Sequence, residues 1–180
     1  MEDLSLHILD IIENSINAGA KRIELTIKED AKKNIFMIKI KDDGKGMSKD
    51  TINKALDPFF TTKENKRIGL GLSLLAQATE EVQGNFKIHS KEGSGTTICA
   101  KFIYDHMDRK PLGDIAETII TLIASHGHTI DFLYKHQKHN HSFLLDTISI
   151  KKELGDLAID DPEVLELIRN RINEELIVNK

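Results

Sequence analysis

The sequence predicts an α+β fold: a two-layer α/β sandwich over residues 1–104, with a small α+β extension over residues 105–180. Three observations carry that reading. Leu4, Ile8, Ile11, Ile12 and Ile16 recur at helical period and form one apolar stripe. Arg22–Lys28 and Ile35–Lys41 then alternate apolar and polar residues, the period of half-buried strands. A second helix and hairpin follow, with Leu72, Leu75, Ala78 and Val82 inward on the helix, then Asn85–Ser90 and Thr96–Tyr104. A helix with one apolar stripe covers a sheet with one apolar face, which gives two layers.

Bulk properties narrow the classes. The single cysteine, Cys99, excludes an internal disulfide framework and fits a reducing compartment. A net charge of −4 gives no electrostatic case for nucleic-acid binding. The start, MEDLSLHILD, lacks a basic region before an apolar run, and no apolar stretch nears about 18 residues. The expectation is a cytoplasmic protein that binds neither nucleic acid nor membrane.

Taken in order, the first helix spans Leu4–Ala20, with Gly19 as its C-cap. His7, Asp10, Asn14 and Asn17 share the face opposite the stripe. That face offers short ligating groups where a solvated face would carry Lys, Glu and Arg. The polar Glu29–Asn34 joins the two strands as a hairpin. The second strand runs into Asp42-Asp43-Gly44-Lys45-Gly46-Met47, and Ser48 caps a short helix to about Leu56. Gly44 and Gly46 let the backbone approach a flat ligand, and Asp42 offers an acceptor for an exocyclic amine. The loop lacks the later Glu and further acids of a calcium-binding EF-hand.

Glu64–Arg67 is polar and basic between the Pro/aromatic Asp57–Lys63 and the Gly-rich Ile68–Ser73. The stretch reads as a mobile lid hinged at both sides, with Lys63, Lys66 and Arg67 able to face phosphates. Gly69 and Gly71 open the next helix, whose N-terminus is a natural polyphosphate site, and Gly84 stops it. Lys91–Gly95 joins the last two strands of the sandwich.

These motifs, in this order, resemble the ATP-binding (Bergerat-fold) domain of the GHKL superfamily, which holds DNA gyrase, a heat-shock chaperone ATPase, sensor histidine kinases and mismatch-repair ATPases. ENSINAGAKRIEL is similar to the N-box of the mismatch-repair members, and DDGKGM to the G1 box. DPFFTTK and GLGLS are similar to the histidine-kinase F and G2 boxes, and GSGTT to the last glycine motif. The resemblance covers Leu4–Tyr104 and implies ATP and Mg²⁺ as ligands. It assigns Asn14 to Mg²⁺ through its side-chain oxygen, Asp42 to the adenine amino group, and Gly44 and Gly46 to the base pocket. Asn17, Met47, Leu70 and Leu72 flank these motifs and count as nucleotide-binding. Gly69 and Gly71 would meet the phosphates, Thr62 and Lys63 would reach them from the lid, and Thr96 or Thr97 would support Asp42.

Asp10 lies one turn before Asn14, where hydrolysing members and serine-phosphorylating anti-sigma kinases place a general-base Glu; sensor histidine kinases usually have Asn there. A carboxylate can deprotonate an incoming water or hydroxyl, so Asp10 is the catalytic candidate. Its alternative is to orient water on Mg²⁺. His7 reads as a helix-packing histidine, with phosphoacceptor or proton relay as the alternative. Only three residues precede Leu4, so the dimerising phosphoacceptor hairpin of a sensor kinase is not expected. Nor is the large transducer domain of the mismatch-repair enzymes.

Beyond a boundary at Asp108–Pro111, Leu112–Ser125 reads as a helix, and Thr129–His136 with Ser142–Ile148 as a hairpin. Asp161-Pro162 starts a final helix to about Val178. His136, His139 and His141 read as a solvated turn, with a metal cluster as the alternative. The extension would pack on the ATPase domain or form a homodimer with a second copy. The functional expectation is a stand-alone protein that uses Mg-ATP to phosphorylate or switch a partner protein, with a regulatory or redox-enzyme system as the suggested context. A slow ATPase and a non-catalytic nucleotide-dependent binding module are its rivals.

Overall fold

The structure, a computed structural model, describes residues 3–56 and 70–178. Its elements are α1 (Leu4–Asn17), β1 (Arg22–Asp30), β2 (Ile35–Asp42), α2 (Lys49–Leu56), α3 (Leu70–Glu81), β3 (Asn85–Ser90), β4 (Thr96–Ile103), α4 (Ile115–His126), β5 (Asp131–Lys138), β6 (His141–Asp146), α5 (Thr147–Leu154) and α6 (Pro162–Val178).

Six strands form one sheet in the order β3-β4-β2-β1-β5-β6. Ile23, Leu25 and Ile27 of β1 are buried, as are Phe36, Ile38 and Ile40 of β2 and Ile98, Ala100 and Phe102 of β4. These alternating residues make one apolar sheet face. Helices cover that face: Ile12 of α1 and Ile119 and Leu122 of α4 meet Ile23, Leu25 and Phe132. Ile172 and Leu176 of α6 meet Tyr134, His136 and Phe143. The α1 stripe of Leu4, Ile8, Ile11 and Ile12 is fully within the core.

The hairpin after residue 104 does not stand apart. β5 pairs in parallel with β1, from Arg22 opposite Asp131 to Glu29 opposite Lys138, and β6 closes the edge antiparallel to β5. The connection also returns to α1, whose first turn is capped from outside the helix: Leu4 N–H donates to Pro111 O and Ser5 N–H to Leu112 O.

Several element ends shift by a few residues from the sequence reading, and two differences in the tail change the local chemistry. The second tail strand stops at Asp146, whose side chain accepts from Ile148 N–H and caps α5. Thr147 and Ile148 are therefore helical, and α5 was not foreseen. His136 is the other difference. It lies on the buried face of β5 with only 5% exposure, not in a solvated turn. Among the described residues, no group of three His, Cys, Asp or Glu side chains is placed to hold a metal ion. None of their helices is long and apolar enough to cross a membrane.

Candidate nucleotide site

The site is built where α1 ends, β2 ends and α3 begins. Asp42 closes β2 on the covered face of the sheet and is 7% exposed. Its Oδ1 accepts from Gly44 N–H at 2.9 Å, and its Oδ2 accepts from the Ser15 hydroxyl at 2.9 Å. Both bonds use neutral donors and fix the carboxylate against α1. Ser15 was missed in the sequence reading. It follows Asn14 in the motif, but nothing local marks it, since its partner lies 27 positions away.

Asp43 binds the other side of the same corner, accepting from Lys21 and Arg22 N–H at 2.7 and 2.9 Å. Burial pushes its carboxyl up, yet the Arg22 and Lys21 N–H groups hold it below the usual carboxylate range.

The glycine loop is clamped from two sides. Lys45 N–H donates to Ala18 O at the end of α1, and Gly93 N–H donates to Lys45 O from the β3–β4 turn. Gly46 takes φ +67°, and a Cβ there would lie 2.0 Å from Lys91 O. Met47 N–H donates to the Ser90 hydroxyl, which also contacts the Thr96 hydroxyl at 2.9 Å. Thr96 pairs with Asp42 across β2–β4 and shares its face. Thr97 pairs with Lys41, so alternation turns its side chain to the opposite face, away from Asp42. Of the two threonines, only Thr96 stands on the Asp42 side, and its hydroxyl bonds Ser90.

Gly71 in the first turn of α3 is the contact that brings the start of that helix to α1. A Cβ at Gly71 would lie 2.6 Å from Asp10 Cβ and 3.2 Å from Asp10 Oδ2. Asp10 is exposed, Asn14 half-buried and Asn17 exposed at the end of α1, while Leu72 is buried. Leu70 is the first residue of α3. Thr62, Lys63 and Gly69, with the rest of the expected lid, lie outside the described residues.

His7, one turn before Asp10, is fully buried, as a packing histidine should be. Neither ring nitrogen has a hydrogen-bond partner among the described residues. Burial first, and the positive charge of Lys110 second, pull its pKa from 6.5 to about 4, so the ring is neutral.

A buried acid, a clamped glycine loop and a helix N-terminus against a second acid define an ATP-binding domain of the GHKL type. The family described as histidine kinase-, DNA gyrase B- and HSP90-like ATPase matches residues 2–105, and the chain belongs to it. It is 37% identical over 92 residues to sporulation kinase E of Bacillus subtilis, covering 50% of this chain and 12% of that kinase. It is 35% identical over 90 residues to sporulation kinase C of the same organism, covering 50% of this chain and 21% of the kinase. The matches therefore span a small part of those relatives' length. The Aquifex aeolicus MutL ATPase domain complexed with ADP superposes with a TM-score of 0.51 at 16% identity, covering 79% of this chain and 64% of that one. That likeness is one of fold.

Proposed function

We propose that the chain binds Mg-ATP between α1, the Asp42–Met47 loop and the start of α3, and uses it to phosphorylate or switch a partner protein. Asp42 accepts from the adenine amino group, and Gly44 and Gly46, packed against Ala18 and Lys91, hold the loop in the shape that borders the base. The α3 N-terminus, with Gly71 free of a side chain, takes the phosphates.

Asn14 fits Mg²⁺, a hard cation that accepts an amide oxygen and keeps water and phosphate as its other ligands. Its carboxamide is half-buried and makes no hydrogen bond among the described residues. When bound, Mg²⁺ neutralises charge on the phosphates.

The observation that carries the reading is Asp10 against Gly71: a carboxylate touches the helix turn that receives the phosphates. There Asp10 takes the proton of the attacking hydroxyl. The exposure of Asp10 favours a second reading, a slow ATPase in which water is the acceptor.

The test is incubation with γ-labelled Mg-ATP, alone and with extract from the source cells, counting protein-bound and free phosphate separately. Label on an extract protein that disappears with Asp10→Asn, while nucleotide affinity stays, supports transfer to a partner. Label released only as free phosphate supports the ATPase. Turnover unchanged in Asp10→Asn overturns the role of Asp10 in both.

A further inference from the structure

The helices α1, α4 and α6 cover one face of the sheet, and α3 packs on α1. The opposite face is mixed, with lysines among Met37, Leu133 and the exposed Leu144. One row across the sheet runs Lys87, Cys99, Lys39, Thr26 and Lys135, from β3 to β5. Lys101 stands on the same face, two residues along β4 from Cys99. Lys39, Lys87 and Lys101 are exposed and Lys135 is half-buried.

The acids of this face are already engaged. Glu24 lies 3.8 Å from Lys41, Asp30 3.8 Å from Lys28, Asp131 2.7 Å from Lys151 and Asp146 3.7 Å from Arg22. Among the described residues, Lys39, Lys87, Lys101 and Lys135 have no such partner. The chain as a whole carries −4, so an excess of unpaired lysines on this face runs against the net charge.

We propose that this open face, around Lys39, Lys87, Lys101 and Lys135, docks an acidic surface of a partner protein. The chemistry favours a protein over a nucleic acid. No aromatic side chain stands in these rows to stack a base. Strands about 4.8 Å apart spread the ammonium groups as a flat grid, not a groove that follows one phosphate backbone. Lysines are separate point charges suited to scattered carboxylates, and such pairing sets association rate and specificity. The patch lies across the sheet from Asp42, so the inference goes beyond the nucleotide reading and does not depend on it.

The test uses the whole chain and labelled poly-L-glutamate as a protein-like polyanion. Binding should weaken about tenfold from low to physiological salt, because exposed charges are screened. Reversing the patch as K39E/K87E/K101E/K135E should weaken it about tenfold or more, whereas reversing lysines elsewhere as K21E/K32E/K33E/K152E should leave most of it. Cys99, the chain's one thiol, reports the location: bound polyglutamate should slow its alkylation. Thermal melts of each variant read whether it is folded. A patch variant that melts and binds polyglutamate like the wild type overturns the proposal. So does a single-stranded DNA of matched charge that binds more tightly and protects Cys99, or a protein whose patch mediates self-association instead. Loss of ATP binding with polyglutamate docking intact strikes only the nucleotide reading.

Discussion

Asp42, buried, and Glu29, half-buried, are two acids on one face of one sheet, and their neighbours give them different work. Asp42 is held by the Ser15 hydroxyl and the Gly44 N–H, beside glycines that leave the backbone bare. Glu29 is held by ring and ammonium groups: His136 Nε2 lies 2.8 Å from Oε1 and Lys138 Nζ 3.9 Å from Oε2. Tyr134 Oη completes that chain at 2.7 Å from His136 Nδ1. The geometry is satisfied when Tyr134 donates to Nδ1 and Nε2–H donates to Glu29.

Burial pushes the Glu29 carboxyl up, but the His136 bond and the Lys138 charge bring it below its usual range. Burial drives the Tyr134 hydroxyl far above its usual pKa, so it stays protonated. Ile172 and Leu176 of α6 lie over this group. On the proposed function, an acid among neutral donors beside a glycine loop is a binding group; an acid half-buried under a helix is a tie between β1 and β5.

The largest expected effect breaks the tie. His136→Ala leaves Glu29 and the Tyr134 hydroxyl without their main partner and should cost about 3–4 kcal/mol. Urea unfolding measures the loss, with ATP affinity expected to stay as in the wild type.

Acid should act next, through His7. Its folded pKa of about 4 lies below its ordinary 6.5, so the unfolded chain binds the extra proton between those values. Stability is full above pH 6.5 and falls on the order of 3 kcal/mol as the pH drops towards 4. His7→Leu should remove that part of the slope in a pH series of unfolding curves.

Gly71→Ala should force α3 off Asp10 and lower phosphate turnover about tenfold, with a stability cost of about 1–2 kcal/mol. Single-turnover kinetics beside thermal melts would separate the two. Smallest, Ser15→Ala removes one bond to Asp42 and should cost about 1 kcal/mol, with ATP affinity down a few-fold by calorimetry.

Local patterns were readable in the sequence. The Leu4–Ile16 stripe, the two alternating hairpin strands and the Asp161-Pro162 helix start specify their own elements. Thr97 was readable too, because alternation from the buried Ile98 puts it on the far face. Long-range pairing was not. Nothing in residues 131–138 says that their neighbour is β1, so the role of His136 waits on Glu29, 107 positions away. Asp146 looked like a strand residue because alternation ran through it, yet its carboxylate starts α5. Within the site, Asp10, Asn14, Asp42 and the glycines were legible as motif residues. Ser15 was not, since its use depends on where β2 ends.

The most direct test of the contrast is calorimetric ATP titration of Asp42→Asn and Glu29→Gln, with thermal melts in parallel. Asp42→Asn should bind ATP at least about tenfold more weakly, a loss of roughly 1.4 kcal/mol, and lose its preference over GTP. Glu29→Gln should bind ATP like the wild type and melt several degrees lower, about the shift expected for 1–2 kcal/mol in a chain of this size. Equal ATP affinity in Asp42→Asn and the wild type would contradict the assignment of Asp42 as the base-binding acid.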